Sequence, residues 1–151
     1  MSDYLQKIRG KRVYFDVNVF IYAIEPTQEM QPYFATVSKL FEMAVAKQII
    51  AITSELTLAE ALVGAYKNNL PLVALYEEML SNRADLSVHP ISRKILNTAA
   101  LLRSEQKIAL ADAIHVATAI NHEADYFITQ DKRLQIANGL QKLTLDSLLN
   151  T

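Results

Sequence analysis

Five short runs rich in β-branched and aromatic residues punctuate this chain, and their spacing constrains the fold more than any other feature. They are RVYFD (12–16), IIAIT (49–53), DLSVH (85–89), YFIT (126–129) and KLTL (142–145). Longer segments with helical periodicity separate the first four, an alternation that predicts parallel strands joined by crossover helices. Between the first two, PYFATVSKLFEMAVAKQ (32–48) sets Phe34, Val37, Leu40, Phe41 and Ala44 on one stripe, the expected core face of an amphipathic helix. SELTLAEALVGAYKNN (54–69) opens on a good cap, Ser54, and PLVALYEEMLSN (71–82) resumes at Pro71, a residue comfortable only at a helix start. SRKILNTAALLRSEQ (92–106) and LADAIHVATAINHE (110–123) form a second helical pair. The sum is an α/β/α sandwich with a central, mostly parallel sheet of about five strands.

With 151 residues, three Gly and four Pro, the chain has the length of one domain, 1–151, and little material for a linker. Fifteen Lys and Arg against sixteen Asp and Glu leave a net charge of −1, so no overall attraction to nucleic acid or anionic membranes exists. A polyanion would have to be held locally. The absence of cysteine excludes thiolate metal sites, disulfides and Cys nucleophiles, and it suits a reducing cytoplasm. The polar N-terminus, MSDYLQKIRGKR, lacks an apolar signal core, and no apolar run reaches membrane-spanning length. The expectation is a soluble cytoplasmic protein with no membrane partner.

Against this apolar background Asp16 stands out at the end of the first run, followed two positions later by Asn18. An ionised carboxylate beside so much hydrocarbon is costly unless it is paired, hydrogen-bonded or bound to a cation. Capping a helix that begins in VFIYAI is the simplest account of Asp16. Three further acids fall where the same sheet edge should lie. Glu60 is in the second turn of the helix after IIAIT, Asp112 is near the start of the Ala-rich LADAIHVATAI helix, and Asp131 follows YFIT by two residues. Each alone is ordinary, as helix former, helix-start residue and turn residue. Together, at the carboxyl edge where open α/β sheets gather their functional groups, four acids repel one another unless a cation neutralises them. With no Cys, the natural occupant is a hard, oxygen-seeking ion, Mg²⁺ or Mn²⁺.

The ordered set VYFDVNVFIYAIE, SELTLAEAL, LADAIHVATAI and ADYFITQDKRL resembles PIN-domain ribonucleases, most closely the VapC-type toxins of toxin–antitoxin pairs. The resemblance implies that Asp16, Glu60, Asp112 and Asp131 form a catalytic acidic centre that holds Mg²⁺ or Mn²⁺, and that Asn18 and Thr129 orient it. It implies an RNA substrate cut to a 5′-phosphate and a 3′-hydroxyl, a cognate antitoxin and a homodimer. His115, one turn from Asp112, is a candidate general base, but two-metal hydrolysis needs none and a positioning or packing role is expected of it. Lys132 and Arg133 are candidates for phosphate contact. Lys11 and Arg12 belong to the opposite edge, and Tyr22, Tyr33 and Tyr66 fit helix packing before base stacking. Three other functions compete: a non-toxic RNA-processing nuclease, a catalytically silent RNA- or protein-interaction module, and a phosphatase with Asp16 as nucleophile. The phosphatase ranks low, because that chemistry wants a second Asp where Asn18 stands.

Overall fold

The computed structural model describes residues 3–25, 27–29, 31–136 and 139–149. Its sheet contains β1 (Arg12–Phe15), β2 (Ile50–Ser54), β3 (Ser87–His89), β4 (Tyr126–Thr129) and β5 (Gln141–Thr144), in the order β3-β2-β1-β4-β5. Every neighbouring pair is parallel. The expected sandwich is therefore present, and the sheet is wholly rather than mostly parallel. Between the strands lie α2 (Val17–Ile24), α3 (Gln31–Val45), α4 (Glu55–Asn68), α5 (Leu72–Met79), α6 (Arg93–Glu105) and α7 (Leu110–Asn121). Two short helices, α1 (Asp3–Lys7) and α8 (Leu145–Leu149), flank them. Among the described residues no helix is long and apolar enough to cross a membrane.

Strand side chains alternate between two cores, as the pleat requires. Val13 and Phe15 face a layer with Leu40, Met43, Ala65 and Tyr76, whereas Tyr14, Ile52 and Phe127 face Ile95, Ala99 and Val116. Tyr14 stacks on Phe127 across β1 and β4 with ring centroids 4.8 Å apart. Such a pair contributes roughly 0.5–1.5 kcal/mol beyond the area it buries. The stripe on α3 is correct for Val37, Leu40 and Ala44, with Phe41 packed against them, but Phe34 is 43% exposed. Phe34 lies in the first turn of α3 and borders an open groove with Ala23 and Met79. The periodicity assigns its face, but among the described residues no element buries Phe34 itself.

At the far ends of the strands, Arg12 donates through its backbone N–H to Asp125 and through Nε to the His122 carbonyl. The His122 ring stacks on His89, with centroids 3.4 Å apart. Burial, and then the neighbouring charges of His122 and Arg12, hold His89 below the usual imidazole range. Burial, Arg12 and Lys94 do the same to His122. Both rings thus fold in the neutral form, and the unfolded chain binds their protons more readily. Their contribution to stability is complete above the unfolded value of 6.5 and is lost as pH falls through the lower folded values. Urea unfolding between about pH 7.5 and pH 5.5 should show a smaller acid-side loss in His122→Gln than in the parent protein.

Candidate active site

Two strands lie on each side of β1, β2 and β3 in one direction and β4 and β5 in the other, so the strand order reverses between β1 and β4. Open parallel sheets form a crevice at the carboxyl ends of strands beside such a switch point. Asp16 immediately follows β1, and its backbone N–H donates to the Ile128 carbonyl of β4. Its side chain is the N-cap of α2, accepting from the Val17 N–H at 2.8 Å. The simple account of Asp16 is thus correct and incomplete. Its second oxygen accepts the Thr129 hydroxyl at 2.6 Å, and the first lies 3.9 Å from His115 Nε2.

Glu60 arrives from α4, whose start is fixed by Ser54 accepting the Leu56 N–H, so Ser54 has the capping role expected of it. The Glu60 carboxylate accepts from His115 Nε2 at 2.6 Å. His115 is 1% exposed, and its Nδ1 meets the Tyr14 hydroxyl at 2.6 Å. A carboxylate only accepts, so Nε2 carries the proton toward Glu60, and Tyr14 occupies the other nitrogen. Burial opposes charge on this ring, but the Glu60 hydrogen bond and the charges of Asp16, Glu60 and Asp112 outweigh it and raise its pKa. One ligand atom each from Asp16, Glu60 and His115 lies within 4.8 Å of the others.

Asp112, in the first turn of α7, faces the same region. Burial, followed by the charges of Asp16 and Asp131, raises its pKa; Glu60 adds to the rise and His115 opposes it. Asp112 therefore senses the charges of the other three acids, whereas the ligand atoms that come together among the described residues are those of Asp16, Glu60 and His115. Asp131 is held by its own loop, where its backbone N–H donates to Thr129 Oγ1 and its carboxylate accepts the Arg133 N–H. Thr129 bridges two of the acids in this way, a link that its place two residues before Asp131 makes available.

The two basic residues after Asp131 diverge. Lys132 pairs with Asp146 of α8 at 2.9 Å, beside Tyr33 and Gln130, which bind the same carboxylate. Arg133 lines a cavity of about 460 Å³ with Asp112, Asp131 and Lys107. Tyr22 and Tyr33 stack on each other at 5.3 Å, whereas Tyr66 is 60% exposed. Asn18, in the first turn of α2, is half-buried and has no side-chain hydrogen bond recorded among the described residues. Sequence reasoning missed Tyr14 and Lys107. The β-strand pattern hides the phenol of Tyr14 among core residues, and Lys107 belongs to a loop with no motif.

A family model described as PIN domain matches residues 13–140. Among solved structures, the chain is similar to a toxin–antitoxin complex from Klebsiella pneumoniae at 26% identity and a TM-score of 0.61, covering 85% of this chain and 94% of that one. It is also similar to VapBC2 from Rickettsia felis, bound there to a promoter DNA fragment, at 20% identity and a TM-score of 0.66, with 88% and 98% covered. A third is the sarcin–ricin loop cleaving toxin VapC20 of Mycobacterium tuberculosis, at 12% identity and a TM-score of 0.60, with 76% and 86% covered. No curated protein matches the sequence. The matched span contains all four acids, β2, β3, β4 and β1 from Val13, and the solved structures that share the fold include VapC-type toxins: the chain belongs to the PIN-domain family.

Proposed function

We propose that this protein is a metal-dependent endoribonuclease, the toxin of a type II toxin–antitoxin pair. The observation that carries the reading is the convergence of Asp16, Asp131 and Glu60 on Asp112, whose burial and whose acidic neighbours leave it harder to ionise than an ordinary carboxyl group. Like charges so placed favour a cation, and an oxygen-rich donor set without Cys fits Mg²⁺ or Mn²⁺. Asp16 and Asp112 would hold it directly, with Glu60 and Asp131 binding directly or through water. Such an ion supplies charge stabilisation at the scissile phosphodiester and makes attacking water more acidic. The chain's own residues fix the geometry: Thr129 and the Val17 N–H orient Asp16, and His115 orients Glu60. The antitoxin partner is proposed on the likeness to solved toxin–antitoxin structures, and the homodimer on the resemblance to VapC-type toxins alone. The toxin role ranks above a non-toxic RNA-processing nuclease for the same reason.

The test is cleavage of a panel of structured RNAs by purified protein with Mg²⁺ or Mn²⁺, beside EDTA controls and identically purified Asp112→Asn. Metal-dependent cleavage that disappears in the variant supports the reading. Equal behaviour of wild type and variant on every RNA, with no metal binding by direct titration, favours the interaction module. Thr129→Val, which keeps the shape but removes the donor to Asp16, should lower kcat/KM about tenfold, the low end of the effect of losing a partner that orients a metal ligand. Steady-state kinetics on the same RNA checks it.

A further inference from the structure

The neutral chain does not announce where a polyanion would lie, yet the acidic centre opens onto a basic depression. The 460 Å³ cavity beside Asp112 and Asp131 adjoins a second, of about 400 Å³, and the two share Gln106 and Lys107 in their lining. Arg133 stands on the acidic side and Arg103 at the far end. Arg103 lies in the last turn of α6, and Lys107 in the connection that joins α6 to α7. Arg103 donates from one guanidinium nitrogen to the Ile108 carbonyl, which ties the last turn of α6 to that connection. A guanidinium has five donors, so this bond leaves others available. Neither Arg103 nor Lys107 makes an ion pair with a carboxylate among the described residues. Lys132, by contrast, is already held by Asp146.

We infer that Arg103, Lys107 and Arg133 form a track for the RNA backbone that leads one side of the substrate strand away from the scissile phosphate along the α6–α7 connection. The inference rests on the nuclease reading and adds to it the direction of the strand. Arg133 is loosely paired with Asp131 at 3.8 Å on an exposed side chain, and Arg103 and Lys107 have no carboxylate partner among the described residues. Cations so placed in a groove attract phosphates in series, and Gln106 adds an amide able to bond ribose or base edges. The acids lie at one end of the groove, so cations along its length offset their repulsion of the RNA before chemistry begins.

The test uses a fluorescein-labelled hairpin RNA that the wild type cuts, with cleavage followed over a range of salt concentrations. The double variant Arg103→Gln/Lys107→Gln removes both charges and retains an N–H donor for the Ile108 carbonyl. It should raise KM about tenfold with kcat unchanged, and reduce the slope of log kcat/KM against log salt by about 1.4, or about 0.7 for each lost phosphate contact. The charge-preserving Arg103→Lys/Lys107→Arg pair should restore both, and Lys39→Ala, which removes a cation paired with Glu42 on α3, should change neither. Thermal melts of each variant separate folding from binding. Wild-type cleavage with unchanged KM and salt slope in the glutamine variant overturns the track and leaves the nuclease standing. A wild type that cuts no RNA of a hairpin panel overturns both.

Discussion

Asp112→Asn should lower RNA cleavage at least about a thousandfold, equivalent to about 4 kcal/mol of transition-state stabilisation, while making the metal-free protein more resistant to heat. The two effects have one cause. Burial and the charges of Asp16 and Asp131 oppose ionisation of Asp112, so its charge destabilises the metal-free fold and removing it relieves repulsion. Adding Mg²⁺ should then raise the melting temperature of the wild type, since an ion that binds the native state stabilises it by mass action. The variant should respond much less. Thermal melts with and without Mg²⁺, beside kinetics on the same preparations, read both effects.

Tyr14→Phe has the second large effect, although the Tyr14 hydroxyl bonds His115 rather than any of the four acids. Its hydroxyl is the partner of His115 Nδ1, and both groups are buried. Deleting it leaves a buried nitrogen unsatisfied, at about 1–3 kcal/mol of stability. It also frees the imidazole that holds Glu60, so activity should fall about 10–100-fold, the range for losing a group that orients a metal ligand. Chemical denaturation measures the first and kinetics the second. Combining Tyr14→Phe with Glu60→Gln should cost less activity than the product of the single effects, because both interrupt one chain of hydrogen bonds.

The strands were legible because each is a compact β-branched or aromatic run, and YFIT coincides with β4 residue for residue. The other boundaries move by one or two residues where caps intervene. Ser54, read as a cap, also closes β2, and Asp16, placed at the end of the first run and read as a helix cap, lies just past β1 and caps α2. The acids were legible because each follows a strand or opens a helix, which places them at one edge without knowledge of side-chain contacts. What remained hidden depends on contacts between distant segments. Tyr14 and His115 are 101 positions apart, and Asp16 and Thr129 are 113 apart. The different surroundings of Lys132 and Arg133 arise from α8, a five-residue helix whose Asp146 holds only the first. Phe34 shows the matching limit for the core: periodicity identifies a face, and tertiary packing decides whether that face is covered.

The central claim is that four carboxylates form one divalent-cation centre. Titration of the purified protein with Mn²⁺, with free ion followed by electron paramagnetic resonance, tests it most directly. Saturable binding by the wild type, weakened in Asp16→Asn and in Asp112→Asn and little affected by Lys39→Ala, is the expected result. No binding by folded wild-type protein, or equal binding by all four proteins, would contradict it.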